Sequence, residues 1–262
     1  MSPHCFHAPA RAGSALGLTL RSLIIAPGDD EAKLAAAVKS GADAVVIDLA
    51  LAPQARPAAR ANAARLLAKA QVIAPTLMVR VNPLGEAETD RDLDAVMGQA
   101  PFAILLPNAL AAGVQQLSAR LAVREALGDL EDGLTRIVAV ADTAAALLGL
   151  AGAREMSARL IGLAWDAEGL RADIGAETCR DESGAYAGPY RLARDLALLA
   201  ATAAGVAAID AASTDIQDPE RLRAEAIAAR RDGFAAKLAA DPDQAKIINE
   251  AFGARRRPDA RL

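Results

Sequence analysis

The fold is decided by residues 44–81, which read AVVIDLALAPQARPAARANAARLLAKAQVIAPTLMVRV. The stretch begins with a short β-branched run, AVVIDL (44–49), and ends with another, TLMVRV (76–81). Both runs are apolar at nearly every position, which is typical of parallel strands that are buried on both faces. The longer Ala- and Arg-rich run between them has the composition of a helix. We therefore predict a strand, a helix over residues 54–69, and a second strand.

The same unit recurs along the rest of the chain. Further apolar runs predict strands at residues 21–26, 102–106, 136–141, 160–165, 206–209 and 234–239. Helical stretches follow the runs, for example at residues 30–40 and 190–205. Eight strands with intervening helices predict a single (β/α)8 TIM barrel, a fold that typically needs about 250 residues. A doubly wound open sheet is the alternative.

The barrel is expected to span residues 21–253 of the 262 residues. Residues 1–20 are rich in Ala, Gly and Pro and contain no acidic side chain, so we expect a flexible N-terminal segment without a signal-peptide core. Residues 254–262 are expected to form a flexible C-terminal tail. The Gly-rich stretch at residues 171–189 predicts a loop near the active-site end of the barrel.

Composition narrows the possible functions. Hydrophobic residues make up 53% and charged residues 24% of the chain, which suits a large buried core. The net charge of −4 argues against a nucleic-acid binder, and no run approaches the roughly 18 apolar residues of a membrane span. Cys5 and Cys179 form no CxxC motif, which fits a cytoplasmic protein. His4 and His7 both lie near the N-terminus, so a Ser-His-Asp triad and a His-ligated metal are excluded from the barrel.

Charged residues stand where the predicted strands end. Asp48 ends the second strand, Arg80 lies near the end of the third, and Asp142 follows the fifth. Asp166 and Glu168 follow the sixth. In a TIM barrel the catalytic groups lie at the carboxyl ends of the strands. Several carboxylates would suit Mg²⁺, and an arginine fork would bind a substrate carboxylate.

Each of these residues also has a purely structural interpretation. Asp48 and Asp142 could cap the turns or helices that follow them. Asp166 and Glu168 could complement the dipole of a helix N-terminus. Arg80 is harder to explain without a function, because burying an unpaired guanidinium is costly.

Other polar residues near the later strands carry weaker signals. Asp215 and Asp218 precede Pro219, and this context favours capping of a helix. Lys237 lies on the eighth predicted strand, where a Schiff base with a carbonyl substrate is conceivable but has no supporting context.

Nine segments in a fixed order resemble a known family. They are RSLIIAPGDD (21–30), SGADAVVIDL (40–49), RPAAR (56–60), VRVNPLG (79–85), LLPN (105–108), ADTAAALL (141–148), LAWDAEGL (163–170), STDIQDPERLRAEA (213–226) and DPDQAKIINEAF (241–252). In this order and spacing the chain resembles the citrate lyase beta-subunit-like proteins of the HpcH/HpaI aldolase and malyl-CoA lyase superfamily. The resemblance implies a TIM barrel, a homo-oligomer that is often a trimer, and Mg²⁺- or Mn²⁺-dependent making or breaking of a carbon–carbon bond. The implied substrate is a 2-oxo or hydroxy acid, or its acyl-CoA thioester.

The resemblance also implies roles for individual residues. Arg80 matches the substrate-gripping arginine, and we take it together with Asp48 as catalytic. Asp142 stands where the family has a metal-binding Glu. Arg56 and Arg60 match basic positions that lie near the CoA phosphates in relatives.

Several positions depart from the family pattern. Ala50 and Leu51 replace two acids, Asn108 replaces a lysine, and Leu110 replaces another acid. The segment at residues 241–244 reads Asp-Pro-Asp-Gln in place of His-Pro-Ser-Gln. The sequence ends at Leu262, so we also expect the family's C-terminal lid, with its catalytic Asp, to be missing.

The departure at residues 165–170 bears most directly on the metal. The family pattern Trp-Gly-Ala-Glu-Asp-Leu reads Trp-Asp-Ala-Glu-Gly-Leu here, so the expected metal ligand is replaced by Gly169. In one hypothesis the site has been rebuilt, with Asp142, Asp166 and Glu168 as metal-site carboxylates of a divergent lyase. In the other the barrel is inactive and serves as a small-anion-binding or scaffold subunit.

Overall fold

The predicted strands form one closed barrel in the structure, a computed structural model that describes residues 20–70, 72–85, 87–150, 157–214 and 218–253. Neighbouring strands are all parallel, and β8 pairs with β1 to close the barrel. The strands are β1 Ser22–Pro27, β2 Ala44–Asp48, β3 Thr76–Arg80, β4 Ala103–Leu106, β5 Arg136–Ala141, β6 Leu160–Trp165, β7 Ala207–Asp210 and β8 Ala236–Ala239. This closure confirms the TIM barrel and rules out the open sheet.

Helices connect the strands and surround the barrel. They are α1 Glu31–Lys39, α2 Arg56–Leu67, α3 Ala87–Val96, α4 Ala111–Leu127, α5 Ala144–Gly149, α6 Ala167–Ile174, α7 Gly188–Ala204, α8 Pro219–Asp232 and α9 Pro242–Phe252. A short 3-10 turn, Met97–Gln99, follows α3. Within the described ranges, none of these helices has the length and apolar character needed to span a bilayer.

The buried side chains form an inner and an outer cluster. The inner cluster, which includes Leu23 and Met78, fills the barrel, and the outer cluster lies between the strands and the helices. Successive strand residues alternate between the two clusters because side chains alternate across a strand. Continuing this alternation places Asp48, Arg80 and Asp142 on the inner side at the carboxyl ends of the strands. We call this end of the barrel the mouth.

The predicted loop at residues 171–189 is shorter in the structure. Its first four residues belong to α6, and its last two begin α7. Helix α6 continues to Ile174 because Asp166 caps its N-terminus and Gly175, with a φ of 70°, ends it. Helix α7 begins before Tyr190 because Pro189 is favourable in a first helical turn. The prediction of a loop over the whole stretch was therefore wrong at both ends.

Some predictions fall outside the described residues. These are the flexible C-terminal tail at residues 254–262, the capping role of Asp215, and all of the flexible N-terminal segment at residues 1–20 except Leu20. Leu20 is buried in the inner cluster, so the segment ends one residue earlier than predicted. Asp218 does cap α8, since its Oδ1 accepts a hydrogen bond from the backbone N–H of Arg221 at 3.0 Å.

Candidate active site

Arg80 lies between two carboxylates at the mouth. Asp48 and Arg80 are paired neighbours at the ends of β2 and β3. The Nη1 atom of Arg80 is 3.6 Å from Oδ2 of Asp48, and its Nη2 atom is 3.7 Å from Oδ2 of Asp142. The structure thus brings together three residues that are far apart in the sequence.

The hydrogen-bonding capacity of Arg80 is largely unused. Both ion-pair distances are longer than a hydrogen bond. The Nε atom is buried, and no residue in the described part of the chain accepts a hydrogen bond from it. The side chain is 21% exposed, so it is reachable from solvent. Arg80 can therefore present its fork of N–H groups to an incoming carboxylate.

Backbone N–H groups hold one oxygen of each aspartate near the mouth. The bonds to Oδ1 are donated by Ala50 to Asp48 (2.9 Å), by Asn108 to Asp142 (2.6 Å) and by Glu168 to Asp166 (3.0 Å). These bonds restrict the rotation of the carboxylates. Each aspartate keeps its Oδ2 atom for another partner.

Burial and the charge of Arg80 act in opposite directions on the pKa values of Asp48 and Asp142. Burial raises the pKa of Asp48, and the charge of Arg80 only partly opposes it. Burial also raises the pKa of Asp142, against the N–H of Asn108 and the charge of Arg80. The negative charge of Asp166 raises both values further, so Asp166 lies within electrostatic range of the other two. Acids with raised pKa values are suited to proton exchange.

Glu168 is directed to other partners. Its Oε2 atom accepts a hydrogen bond from Nε of Arg171 at 2.8 Å, and its Oε1 atom accepts one from the Cys179 thiol at 3.4 Å. The bond from Arg171, three residues along the same helix, lowers the pKa of Glu168 against the effect of burial. The structure thus differs from the expected set of Asp142, Asp166 and Glu168. In the part of the chain that it describes, no group of three or more His, Cys, Asp or Glu could hold a metal ion.

Gly169 has a steric reason to lack a side chain. A Cβ atom at this position would lie 2.7 Å from Cβ of Asp142 and 3.0 Å from its carbonyl oxygen. The first turn of α6 is therefore in direct contact with the end of β5. An acid at position 169, which the family resemblance implies, would have no room in this arrangement.

Of Asp48, Asp142 and Asp166, one caps a helix. Thr143, not Asp142, caps α5, since its Oγ1 accepts the N–H of Ala146 at 3.1 Å. Asp166 does cap α6 and also lies at the mouth. Asp48 stabilises only the turn that follows it, through Ala50.

Arg56 and Arg60 are engaged by acids of α3. The Nε atom of Arg60 is 2.7 Å from Oδ1 of Asp92, and its Nη2 atom contacts Glu88. The Nη1 atom of Arg56 is 3.9 Å from Glu88, and its Nε donates to the carbonyl of Leu51 at 2.9 Å. The family resemblance implies that both arginines lie near CoA phosphates, and in the structure both have carboxylate partners on α3.

Asp92 links Arg60 to the loop that follows Arg80. Its Oδ2 atom accepts hydrogen bonds from the backbone and side chain of Asn82, at 2.8 and 2.7 Å. The side chain of Asn82 also donates to the carbonyl of Leu49 at 3.0 Å. Arg60 therefore supports the loops that carry the mouth residues of β2 and β3.

Lys237 is buried outside the barrel interior. It belongs to the outer layer, is 1% exposed, and donates from Nζ to the carbonyl of Ala211 at 2.6 Å and to Asp210 at 3.3 Å. Its position in an ion-pair network removes the basis for a Schiff-base role.

Sequence reasoning missed the contribution of Asn108. The sequence identified Asn108 only as a replacement for the family's lysine, whereas its backbone N–H donates a hydrogen bond to Asp142. An Asn between a buried strand and a helix could have indicated this role, because Asn tolerates the left-handed backbone conformation that such a turn needs.

Three relatives show what this chain is similar to. A citrate lyase subunit beta-like protein from Mycobacterium tuberculosis is 33% identical over 234 residues, which cover 87% of this chain and 77% of that protein. A (3S)-malyl-CoA thioesterase from Cereibacter sphaeroides is 31% identical and covers 88% of this chain and 76% of its own length. Protein CitE from Mycobacterium tuberculosis, whose crystal structure contains magnesium, acetoacetate and coenzyme A, is 30% identical in sequence. It superimposes with a TM-score of 0.74 over 92% of this chain and 82% of that chain.

A family model matches most of the barrel. The model describes the HpcH/HpaI aldolase/citrate lyase family and matches residues 21–242. The match includes Asp48, Arg80, Asp142 and Asp166.

Proposed function

The chain belongs to the HpcH/HpaI aldolase/citrate lyase family, and on this basis we propose that it is a divergent magnesium-dependent carbon–carbon lyase. Its substrate is a 2-oxo or hydroxy acid, or the acyl-CoA thioester of such an acid. The observation that carries the proposal is the arrangement of Arg80. Its N–H groups are available at the mouth, between the carboxylates of Asp48 and Asp142.

The residues at the mouth fit a magnesium ion. Mg²⁺ prefers oxygen ligands and retains several waters, so one or two protein carboxylates suffice. Asp142 and Asp166 would hold it, because each has one oxygen fixed by a backbone N–H and a second oxygen left for another partner. Mn²⁺ is suited by the same ligands. When bound, the ion supplies Lewis-acid stabilisation of the negative charge that develops on a substrate oxygen.

Arg80 and Asp48 have separate roles in the proposed reaction. Arg80 binds the substrate carboxylate through its guanidinium fork and sets the orientation of the substrate. Asp48 accepts the proton of the substrate hydroxyl, which becomes a carbonyl as the carbon–carbon bond breaks. The bonding electrons pass to the other fragment as its enolate, and transfer of the proton from Asp48 to that enolate completes the cleavage. Burial raises the pKa of Asp48, and this increases its proton affinity.

The partners of Arg56 and Arg60 favour a free acid over a thioester. Both arginines contact Glu88, and Arg60 also contacts Asp92. Their charges are therefore already compensated, which weakens the expected attraction for a CoA phosphate. The CitE complex contains coenzyme A, so thioesters belong in the substrate panel alongside free hydroxy acids.

Asp142→Ala is expected to weaken Mn²⁺ binding at least about 10-fold, because it removes a ligand that is already held in position. Electron paramagnetic resonance of free Mn²⁺, supported by calorimetry, measures the change. The matched control is Asp195→Ala, which removes an exposed carboxylate on α7 and should leave the affinity unchanged. Release of a 2-oxo acid from the substrate panel, followed with a coupled dehydrogenase, tests the reaction itself.

The alternative is an inactive barrel that binds a small anion. The contact between Gly169 and Asp142 favours it, because it excludes the carboxylate that the family pattern has at that position. This alternative predicts thermal stabilisation by oxaloacetate or pyruvate that is independent of Mg²⁺ and depends on Arg80. No thermal shift with Mg²⁺ or Mn²⁺, with or without these acids, would contradict the lyase proposal.

The proposal includes a homo-oligomer, as the family resemblance implies. Leu192 and Leu199 lie seven residues apart on α7 and are 60% and 63% exposed. Residues at this spacing share one face of a helix, and exposed apolar patches often mark subunit contacts. Light scattering of the full chain measures the assembly.

A further inference from the structure

Asn108 connects the turn after β4 to the end of β5. It adopts a left-handed backbone conformation, with a φ of 47°. In this conformation its backbone N–H donates to Oδ1 of Asp142 at 2.6 Å. Its side-chain Oδ1 accepts a hydrogen bond from Oγ1 of Thr143 at 2.8 Å. One residue thus contacts two consecutive residues at the mouth.

The chemistry of asparagine suits both contacts. Asn adopts the left-handed conformation more readily than most residues other than Gly. The carboxamide oxygen reaches Thr143, which is itself fixed as the N-cap of α5. The bond to Asp142 has a charged acceptor, and such bonds are stronger than bonds between neutral groups.

Asp142 is also confined on its other side. The first turn of α6 approaches so closely that a Cβ atom at Gly169 would lie 2.7 Å from Cβ of Asp142. Asp142 is therefore fixed at two points: the backbone N–H of Asn108 binds its carboxylate, and the backbone of α6 packs against its Cβ atom and its carbonyl oxygen. Its Oδ2 atom faces Nη2 of Arg80 at 3.7 Å.

We infer that Asn108 is the positioning residue for Asp142. Its left-handed backbone, rather than its carboxamide, fixes the Asp142 carboxylate so that Oδ2 is directed towards Arg80 and a bound ion. The inference deepens the proposed function, because the importance of this orientation rests on Asp142 serving as a metal ligand. Asp142 is one methylene shorter than the Glu that the family has at this position. The hydrogen bond that holds it comes from the turn after the neighbouring strand β4.

Two substitutions separate the backbone from the side chain. Asn108→Gly removes the carboxamide but keeps the left-handed turn at no steric cost, so the Mn²⁺ dissociation constant should stay within about 2-fold of wild type. Asn108→Ala disfavours the same turn and should weaken Mn²⁺ binding about 5-fold or more. Asp129→Ala is the matched control: Asp129 has a φ of 55° beyond the far end of α4, and its substitution should leave Mn²⁺ binding unchanged.

A second measurement does not depend on the metal. In the metal-free protein, the amide proton of residue 108 should resonate downfield because of its short bond to Asp142. It should keep that position in Asn108→Gly and move upfield in Asn108→Ala and Asp142→Asn. If wild type fails to bind Mn²⁺, the proposed function fails, and this signal still tests the positioning role.

Two results would overturn the inference while leaving the lyase proposal intact. The first is an Asn108→Ala variant that binds Mn²⁺ as tightly as wild type. The second is an Asn108→Gly variant that is as impaired as Asn108→Ala, which would assign the effect to the carboxamide.

Discussion

Lys237→Met is expected to lower the free energy of unfolding by about 3 kcal/mol or more. Lys237 is 1% exposed, and its partner Asp210 is 2% exposed. The substitution leaves the Asp210 carboxylate buried with less compensation, and it leaves the carbonyl of Ala211 without the donor that reaches it at 2.6 Å. Urea unfolding followed by circular dichroism measures the change.

The network around Asp210 explains the expected size of this effect. Asp210 also accepts hydrogen bonds from the indole of Trp165 at 2.8 Å and from Nε of Arg194 at 3.1 Å. Elements β6, β7, β8 and α7 therefore meet at one carboxylate. Lys33→Met is the control, because Lys33 is 68% exposed and its pair with Asp30 on the surface should contribute less than about 1 kcal/mol. A loss below 1 kcal/mol in Lys237→Met would mean that the network is not maintained in solution.

The same network predicts a pH dependence. Burial alone would raise the pKa of Asp210, but the charges of Lys237 and Arg194 outweigh it and lower the pKa below its ordinary value of 3.8. A lowered pKa contributes stability that is present well above pH 3.8 and is lost as the pH falls through the folded-state value. In Lys237→Met the pKa is lowered less, so acid unfolding should begin at a higher pH than in wild type. An unchanged onset would argue against the ion pair.

Gly169→Ala is expected to lower the free energy of unfolding by about 1 to 3 kcal/mol, the usual range for overpacking. The added methyl group would lie 2.7 Å from Cβ of Asp142, and neither atom belongs to a flexible side-chain end. Either α6 or the end of β5 must move. Because a movement of β5 displaces Asp142 and a movement of α6 displaces its N-cap Asp166, both of them proposed ligands, Mn²⁺ binding should weaken as well. Chemical unfolding and Mn²⁺ titration measure the two effects.

A matched glycine distinguishes this contact from a general effect of alanine. A Cβ atom at Gly188, in the first turn of α7, would meet nothing within 4 Å. Gly188→Ala should therefore change stability by less than about 0.5 kcal/mol. Adding Asp142→Gly to Gly169→Ala removes the nearest clashing atom and should restore part of the lost stability. Equal stability of wild type and Gly169→Ala would show that the close approach is absent.

Strand prediction was most accurate for β5 and β6. Strands β5 and β6 begin and end where the apolar runs RIVAVA and LIGLAW do. Strands β7 and β8 start one or two residues later than predicted, because their Ala-rich runs have no sharp change in pattern at the N-terminal edge. The last turn of α6, residues 171–174, was assigned to a loop because the stretch that it begins is rich in Gly, although Gly175 is the residue that ends the helix.

The residues of the mouth could be chosen from the sequence by one rule. Parallel strands in a closed barrel have their carboxyl ends together, so Asp48, Arg80, Asp142 and Asp166 had to approach one another once the strands were placed. The rule could not give the direction of Glu168, which depends on Arg171 and Cys179. A side chain in a first helical turn can face either the mouth or its own helix, and spacing does not distinguish these cases.

By itself the sequence determined the class of fold, the family and the strand ends at which Asp48, Arg80, Asp142 and Asp166 lie. Periodicity and composition depend on neighbours along the chain, and these are enough to specify strands, helices and their order. Only the tertiary structure decided that Arg60 is held by Asp92, that the side chain of Lys237 points away from the barrel interior, and that the backbone of Asn108 holds Asp142. Those outcomes depend on contacts between residues far apart in the chain. The distance and the burial of each contact determine how strong its ion pair or hydrogen bond is.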